Sequence, residues 1–513
     1  MNVLFVSVQK NFSIIGPKLL HQILLKEGFN SNILYINGFS NNDSKSLDSL
    51  KGYIKDLSPA WIGVSLTSAE YKYARDFSLF IKKHFDFPII WGGVEPTSTP
   101  EHCLPYADYV CIGEGEKATL DISYALKNGE KLENINNLAY KDGNEIHRNP
   151  LNPLVENMDD LPYIPRVATN SFFLNKGKVV ELTHSLVKRN TVLSASWYRV
   201  INSRGCPMSC TFCVNSFYYN LYPEYHFRTA SPSHIIEEIT RGLQEPLPVA
   251  VISFLDENFF ARKKKDLDEF FSLYKKHINI PYIVYSSPNY ITDENLEKAI
   301  DTGLRGVQIG LQSGSERVCK EIYRRPISIN KFLENVERVK KYKLIPNIEV
   351  ICDNPYETIE DELATIDVLC KIPKPYFFYL LSLTFFEGTP IRERVKEEKP
   401  EALNDPHIKD LLITKTTVLN RLKHLSAIFP SRIVLFFSRW YKKNPNSKML
   451  KILVEICFGF ALIFVQPFIF LWILFLFSKK SIKQMIKLLY YFVDFRIFKT
   501  FNFWRTSKDT TQT

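Results

Sequence analysis

Residues 198–215 read YRVINSRGCPMSCTFCVN. An apolar, strand-like run leads into a loop that carries Cys206, Cys210 and Cys213, with Gly205 and Pro207 beside the first. The other six cysteines (Cys103, Cys111, Cys319, Cys352, Cys370 and Cys457) stand singly. As a disulfide site the group leaves one thiol over. As structural zinc it lacks the fourth ligand that a closed tetrahedral site needs. An iron–sulfur centre is the coherent reading, because such clusters take thiolates from short loops. Three protein ligands on a four-iron cluster also leave one iron open for chemistry. Cys206, Cys210 and Cys213 are therefore the expected metal ligands.

The same alternation of apolar runs and helical stretches continues from about 199 to 400. AVISFLDENFF (250–260), PYIVYSSPN (281–289), GVQIGLQSGSE (306–316), NIEVICDNPYET (347–358) and YFFYLLSLTFFEGTP (376–390) read as strands of a parallel βα barrel. Each run ends in small or polar residues, where a barrel carries its ligand-binding loops. Residues 1–130 read as a separate α/β unit. NVLFVSV, SNILYI, AWIGVSL, FPIIWGG and DYVCIGEGE are its strand candidates, and the expected architecture is a doubly wound, Rossmann-like parallel sheet. Gly92 and Gly93, and Gly113, Glu114 and Gly115, fall at strand ends, where such sheets bind ligands. Residues 131–198 read as a connector, with a hairpin at Asp142-Gly143 and, from 172 onward, an inserted active-site or substrate element.

At this point the residues carry a resemblance. Cys-x3-Cys-x2-Cys with Phe212 before the last cysteine resembles the signature of the radical S-adenosylmethionine (radical SAM) superfamily. The resemblance implies a partial βα barrel, a 4Fe–4S cluster, and SAM bound to the open iron and cleaved to a 5′-deoxyadenosyl radical. It also implies cofactor-binding roles for Phe212, for the acidic pair Asp256-Glu257, for Ser286, and for Gln312 and Ser313 in a strand-four motif where glutamate is commoner than glutamine. The first domain placed before such a barrel is similar to the cobalamin-dependent subfamily, which implies cobalamin over Gly92, Gly93, Gly113, Glu114 and Gly115. Where many cobalamin domains read Asp-x-His-x-x-Gly, this chain has Asn11 to Gly16, with Ser13 in the histidine position. His21 is expected on the surface of the following helix.

The last hundred residues change character. From Ile456 to Ser478 no residue is charged, a length sufficient to cross a bilayer as a helix, with Gln466-Pro467 at its middle and lysines on both sides. Residues 401–513 are thus expected to be a hydrophobic, helical, membrane-associated tail, and a chain cut near Lys423 should keep its barrel. The first residues enter an apolar run without a signal-peptide pattern. With the odd cysteine count, this leads us to expect the cytoplasmic face of a membrane. The net charge of +10 comes without a nucleic-acid motif, so nucleic acid is not an expected partner. Taken together, the expectation is a cobalamin-dependent radical SAM enzyme that C-methylates a lipid or other hydrophobic substrate and draws electrons from a flavodoxin- or ferredoxin-type donor. The alternatives are radical cyclisation, oxidation or carbon–carbon coupling without methyl transfer, or a cluster-bearing membrane scaffold or sensor.

Overall fold

The structure is a computed structural model that describes residues 1–9, 11–39, 44–190, 197–405 and 411–465. Its first sheet contains β1 (Asn2–Ser7), β2 (Asn30–Tyr35), β3 (Trp61–Ser65), β4 (Ile89–Gly92), β5 (Tyr109–Cys111), β6 (Leu138–Asp142), β7 (Glu145–Arg148), β8 (Ser171–Asn175) and β9 (Lys178–Glu181). They lie in the order β7-β6-β5-β4-β3-β1-β2-β8-β9. The centre, from β5 to β8, is parallel, with Val3 opposite Ser31 on one side and Trp61 on the other. These strands read as unbroken apolar runs because helices cover both faces. One core, around Leu34, Phe77 and Trp91, fills one face, and another, around Phe5, Trp61 and Ile122, fills the other.

The connector is not a separate unit. The expected hairpin forms, with a Gly143-Asn144 turn between β6 and β7, and β6 pairs antiparallel with β5. Residues 171–181 are not an active-site insertion. They form a second hairpin, β8–β9, whose turn residues Lys176 and Gly177 both take positive φ, as a two-residue type I′ turn requires. It closes the opposite edge of the sheet. The sequence showed the first hairpin but neither the second nor which sheet they would join.

The second sheet is a half-barrel. β10 (Trp197–Val200), β13 (Val251–Phe254), β14 (Tyr282–Tyr285), β15 (Leu304–Gln312), β16 (Ile345–Cys352) and β17 (Phe377–Ser382) run parallel in that order. A small antiparallel pair, β11 (Ser203–Arg204) and β12 (Arg228–Thr229), brackets the cysteine loop.

The C-terminal region departs from the expected tail. Helices Val418–Ile428, Ser431–Lys443 and Lys448–Phe460 form a layer on the barrel helix Ile359–Lys371. Leu363, Ile366, Leu422, Leu425, Val434 and Val454 share one core there. Lys423, proposed as a cutting point, is fully buried, with Nζ 3.1 Å from Glu362 Oε2. A cut there divides a packed helix. Hydropathy registered the greasy composition, but the i, i+3, i+4 phase of the buried positions decides what they pack against. Among the described residues no helix is long and apolar enough to cross a membrane. Most of the uncharged stretch, 466–478, lies outside the described residues.

Candidate active site

The cysteine loop is shaped by what surrounds it. Gly205 has φ +80°, and a Cβ there would lie 2.5 Å from the carbonyl oxygen of His226, so the turn into Cys206 admits only glycine. Ahead of the turn, the Asn202 backbone N–H and the Ser203 hydroxyl donate to Asp256 Oδ1, at 2.9 and 2.6 Å. Arg262 pairs with the other carboxylate oxygen at 3.1 Å, in full burial. Beyond the turn, Thr211 donates to the carbonyls of Tyr323 and Ile322, and Ile391 N–H donates to Thr211 O. Cys213 stands at the N-terminus of helix Val214–Leu221, and the Asn215 amide lies 3.6 Å from its Sγ.

All three thiols are free. Burial pushes Cys206 up to about 11 and Cys213 up to about 12, with Glu257 adding to both. Cys210 is raised by burial too, but the Arg325 guanidinium beside it pulls the other way. Arg325 is itself buried and donates to Gly310 O at 2.7 Å. Thiols this strongly protonated become ligands by losing protons to a metal. Among the described residues no three His, Cys, Asp or Glu converge on one ion. Three thiolates from one short loop suit a cubane, whose ligands sit on different irons.

A cleft open to solvent runs from residues flanking this loop, Gly205, Val214 and Asn215, to the carboxyl edge of the first sheet, and the three cysteines are not among its lining residues. Gly205, Asn215, Tyr218 and Glu257 line it on the barrel side, and Gly16, Trp61, Gly92, Gly93 and Gly113 to Glu116 on the other. The glycines divide into two kinds. Gly93 and Gly113 have positive φ, and a Cβ would strike Leu66 O and the Tyr222 hydroxyl, so backbone geometry requires them. At Gly92 and Gly115 a Cβ would meet only ordinary contacts, so their bareness instead widens the cleft. A broad, glycine-floored hollow at the carboxyl ends of parallel strands fits cobalamin. No histidine is among the described residues lining it.

Several expected residues fall elsewhere. Ser13 lines a separate small hollow with Phe12, Lys18 and Arg166, and of its loop only Ile15 and Gly16 reach the wide cleft. His21 is not on a helix surface: it is fully buried, 2.9 Å from Ser31 Oγ, and burial pushes it down to about 4. Asp256 is committed to Asn202, Ser203 and Arg262 and so holds the loop rather than facing a ligand. Its neighbour Glu257 opens onto the cleft, where desolvation, with Glu349 and Asp256, pushes its carboxyl up to about 7. Phe212 packs edge-on against Tyr323 at 4.9 Å. Ser286, Gln312 and Ser313 lie at the ends of β14 and β15 and do not line the wide cleft. Ser286 donates to Asn258 Oδ1 at 3.0 Å, and Ser313 donates to Glu357 at 2.8 Å. Gln312 has φ +67° and a buried Oε1 without a hydrogen-bond partner, which is capacity for a ligand donor. One strand over, Glu349 accepts from Gln308 and Gln312.

Glu114 is an interdomain clamp. It meets Arg228 at 2.7 Å and Arg204 at 3.0 Å and accepts the Val155 N–H, while Glu116 takes the other arm of Arg204. Burial opposes ionisation, yet Arg204 and Arg228 hold the Glu114 carboxyl below the usual range. Neither Arg228 nor Glu349 carries a sequence signal. Arg204 does, as part of the SRGC run.

Comparison with known proteins agrees with this geometry. Residues 200–369 match the radical SAM superfamily and residues 1–123 the B12-binding domain. An uncharacterized methyltransferase of Pyrococcus horikoshii is 26% identical over 344 residues, covering 66% of this chain and 70% of that protein. The cytidylyl-2-hydroxyethylphosphonate methyltransferase of Streptomyces wedmorensis is 21% identical, covering 58% of each chain. Among solved structures, the radical S-adenosylmethionine methyltransferase TsrM of Kitasatospora setae, with cobalamin and a [4Fe-4S] cluster bound, superposes with a TM-score of 0.60 at 19% identity, covering 77% of this chain and 75% of that one. At that identity the superposition speaks for the fold. The family assignments bring a 4Fe–4S cluster, SAM and cobalamin as the cofactors. With its cysteine loop beside a glycine-floored sheet, the chain is a radical SAM superfamily enzyme in residues 200–369, preceded by a B12-binding domain in residues 1–123.

Proposed function

We propose that this enzyme transfers a methyl group to an unactivated carbon of a hydrophobic substrate, with electrons from a flavodoxin- or ferredoxin-type donor. The observation that carries the reading is that the glycine floor of the first sheet and the residues flanking the cysteine loop, Gly205, Val214 and Asn215, line one cleft. Two cofactors that must cooperate on one carbon need to face each other without a wall between them. When bound, the cluster supplies the electron that cleaves SAM, and cobalamin supplies the methyl carrier. The chain's own part is to hold Cys206, Cys210 and Cys213 in a rigid turn, to keep the two domains aligned through Glu114, and to present the Glu257 carboxyl, poised near neutrality, to the cleft. The apolar character of the substrate rests on the uncharged stretch 456–478.

The test uses anaerobically reconstituted full-length protein, SAM with a deuterated methyl group, and lipid and metabolite extracts as the substrate source. Methyl transfer by this route consumes two SAM molecules. One yields S-adenosylhomocysteine, the other methionine and 5′-deoxyadenosine. Both nucleoside products in equal amounts, with a deuterated methyl on an extract component, is the expected result. Formation of 5′-deoxyadenosine without S-adenosylhomocysteine would reduce the activity to radical cyclisation, oxidation or coupling.

A further inference from the structure

The outer side of the C-terminal helical layer bears a surface unlike the rest of the molecule. Helices Ser431–Lys443 and Lys448–Phe460 bury Val434, Phe437, Leu450 and Val454 against the barrel layer. Their opposite sides should be polar in an ordinary surface helix. Instead Phe436, Met449, Ile452, Ile456 and Ile463 are each between 60 and 68% exposed. Met449, Ile452 and Ile456 follow the 3–4 spacing of one narrow helical stripe, and Ile463 follows in the π-helical turn Ala461–Val465. Arg432, Arg439 and Lys443 recur at the spacing that flanks Phe436, and Lys448 and Lys451 flank the second stripe. Between 431 and 460 there are six basic residues and one acid, Glu455, which is engaged by Arg421.

The geometry points to a docking face for an anionic lipid surface, formed by these two helices lying in the headgroup plane. An exposed apolar stripe bordered by lysine and arginine on a folded helix is the pattern of an interfacial helix. Charge selects the occupant. A second copy of this chain would meet the face with the same face, setting basic rim against basic rim. The segment that follows, through 478, leads into Lys479, Lys480, Lys483 and Lys487, which carry the same sign. An anionic bilayer complements both the stripe and the rim. The inference rests on the packing of these helices alone and stands or falls independently of methyl transfer.

The experiment is flotation of the full-length protein with vesicles of phosphatidylcholine, with or without one-quarter phosphatidylglycerol. Wild-type protein should float with the anionic vesicles, and less so at high salt. K448Q/K451Q, which removes two exposed charges, should weaken partitioning roughly thirtyfold. I452E/I456E should weaken it further. Both variants should keep wild-type iron content and SAM cleavage in detergent, and if the second misfolds the first still decides. Wild-type protein that ignores anionic vesicles would overturn the inference. So would variants that float as well as wild type, since residues beyond 465 would then carry all the binding. Variants altered only in self-association would overturn it too, by showing the face to be a contact between copies.

Discussion

Gly205→Ala isolates the link between backbone geometry and metal chemistry. At φ +80° an alanine pays about 1–2 kcal/mol of left-handed strain. Its Cβ would also lie 2.5 Å from the His226 carbonyl oxygen, whereas real Cβ contacts stay beyond 3.0 Å. The β11 and β12 segments must therefore part by at least about half an ångström. That displacement falls on the 2.6 and 2.9 Å bonds from Ser203 and Asn202 to Asp256, and on the Arg204 and Arg228 pairs with Glu114. Cys206 follows directly, so its sulfur moves with them. Gly303→Ala is the matched control: φ is +111°, and the nearest obstacle, Ile280 O, is 3.3 Å away, far from the loop in sequence. Gly303→Ala should lose about 1–2 kcal/mol of stability by urea denaturation, and Gly205→Ala more, because its clash adds to the same strain. Only Gly205→Ala should lose iron, to less than about half of wild type after anaerobic reconstitution, with 5′-deoxyadenosine formation falling in step. Full iron loading and normal SAM cleavage in Gly205→Ala would refute the claim that this turn sets the ligand geometry.

Glu114→Gln should loosen the interdomain clamp. The native carboxyl lies below its usual range, so its stabilisation is complete above the unfolded value near 4.5 and disappears as pH falls through the depressed one. The gap between wild-type and variant urea midpoints should therefore be constant at neutral pH and close in acid. Glu257 is pushed up to about 7, so 5′-deoxyadenosine formation should show an inflection near neutrality that Glu257→Gln removes; an unchanged profile would take Glu257 out of the cleft chemistry. A chain ending at Lys423 should be insoluble or iron-poor, because it forfeits Leu425, Val434 and Val454 at roughly 1.5–3 kcal/mol each, whereas one ending at Val465 should load iron normally. Lys423→Ala in the full chain should cost about 3 kcal/mol by stranding Glu362, read as a lowered urea midpoint.

Local patterns determined much of this protein. The three-cysteine loop, the apolar runs of both sheets and the Gly143 turn depend on neighbours a few residues apart, so they stand in the sequence. The glycines at 92 and 115 were legible as open strand ends for the same reason. What the sequence could not settle was partnership across long separations. It put Asp256 and Glu257 side by side, but only the tertiary structure turns one to the cysteine loop and the other to the cleft. Glu114 read as part of a ligand loop until Arg204 and Arg228 arrived from the other domain. His21 read as a surface residue because nothing nearby in sequence shows that Ser31 and a helical layer enclose it. The helices from 418 to 460 read as greasy tail because hydropathy counts apolar side chains without regard to direction. Folding divides those side chains, sending Val434 and Val454 into the barrel layer and leaving Phe436 and Ile456 facing outward.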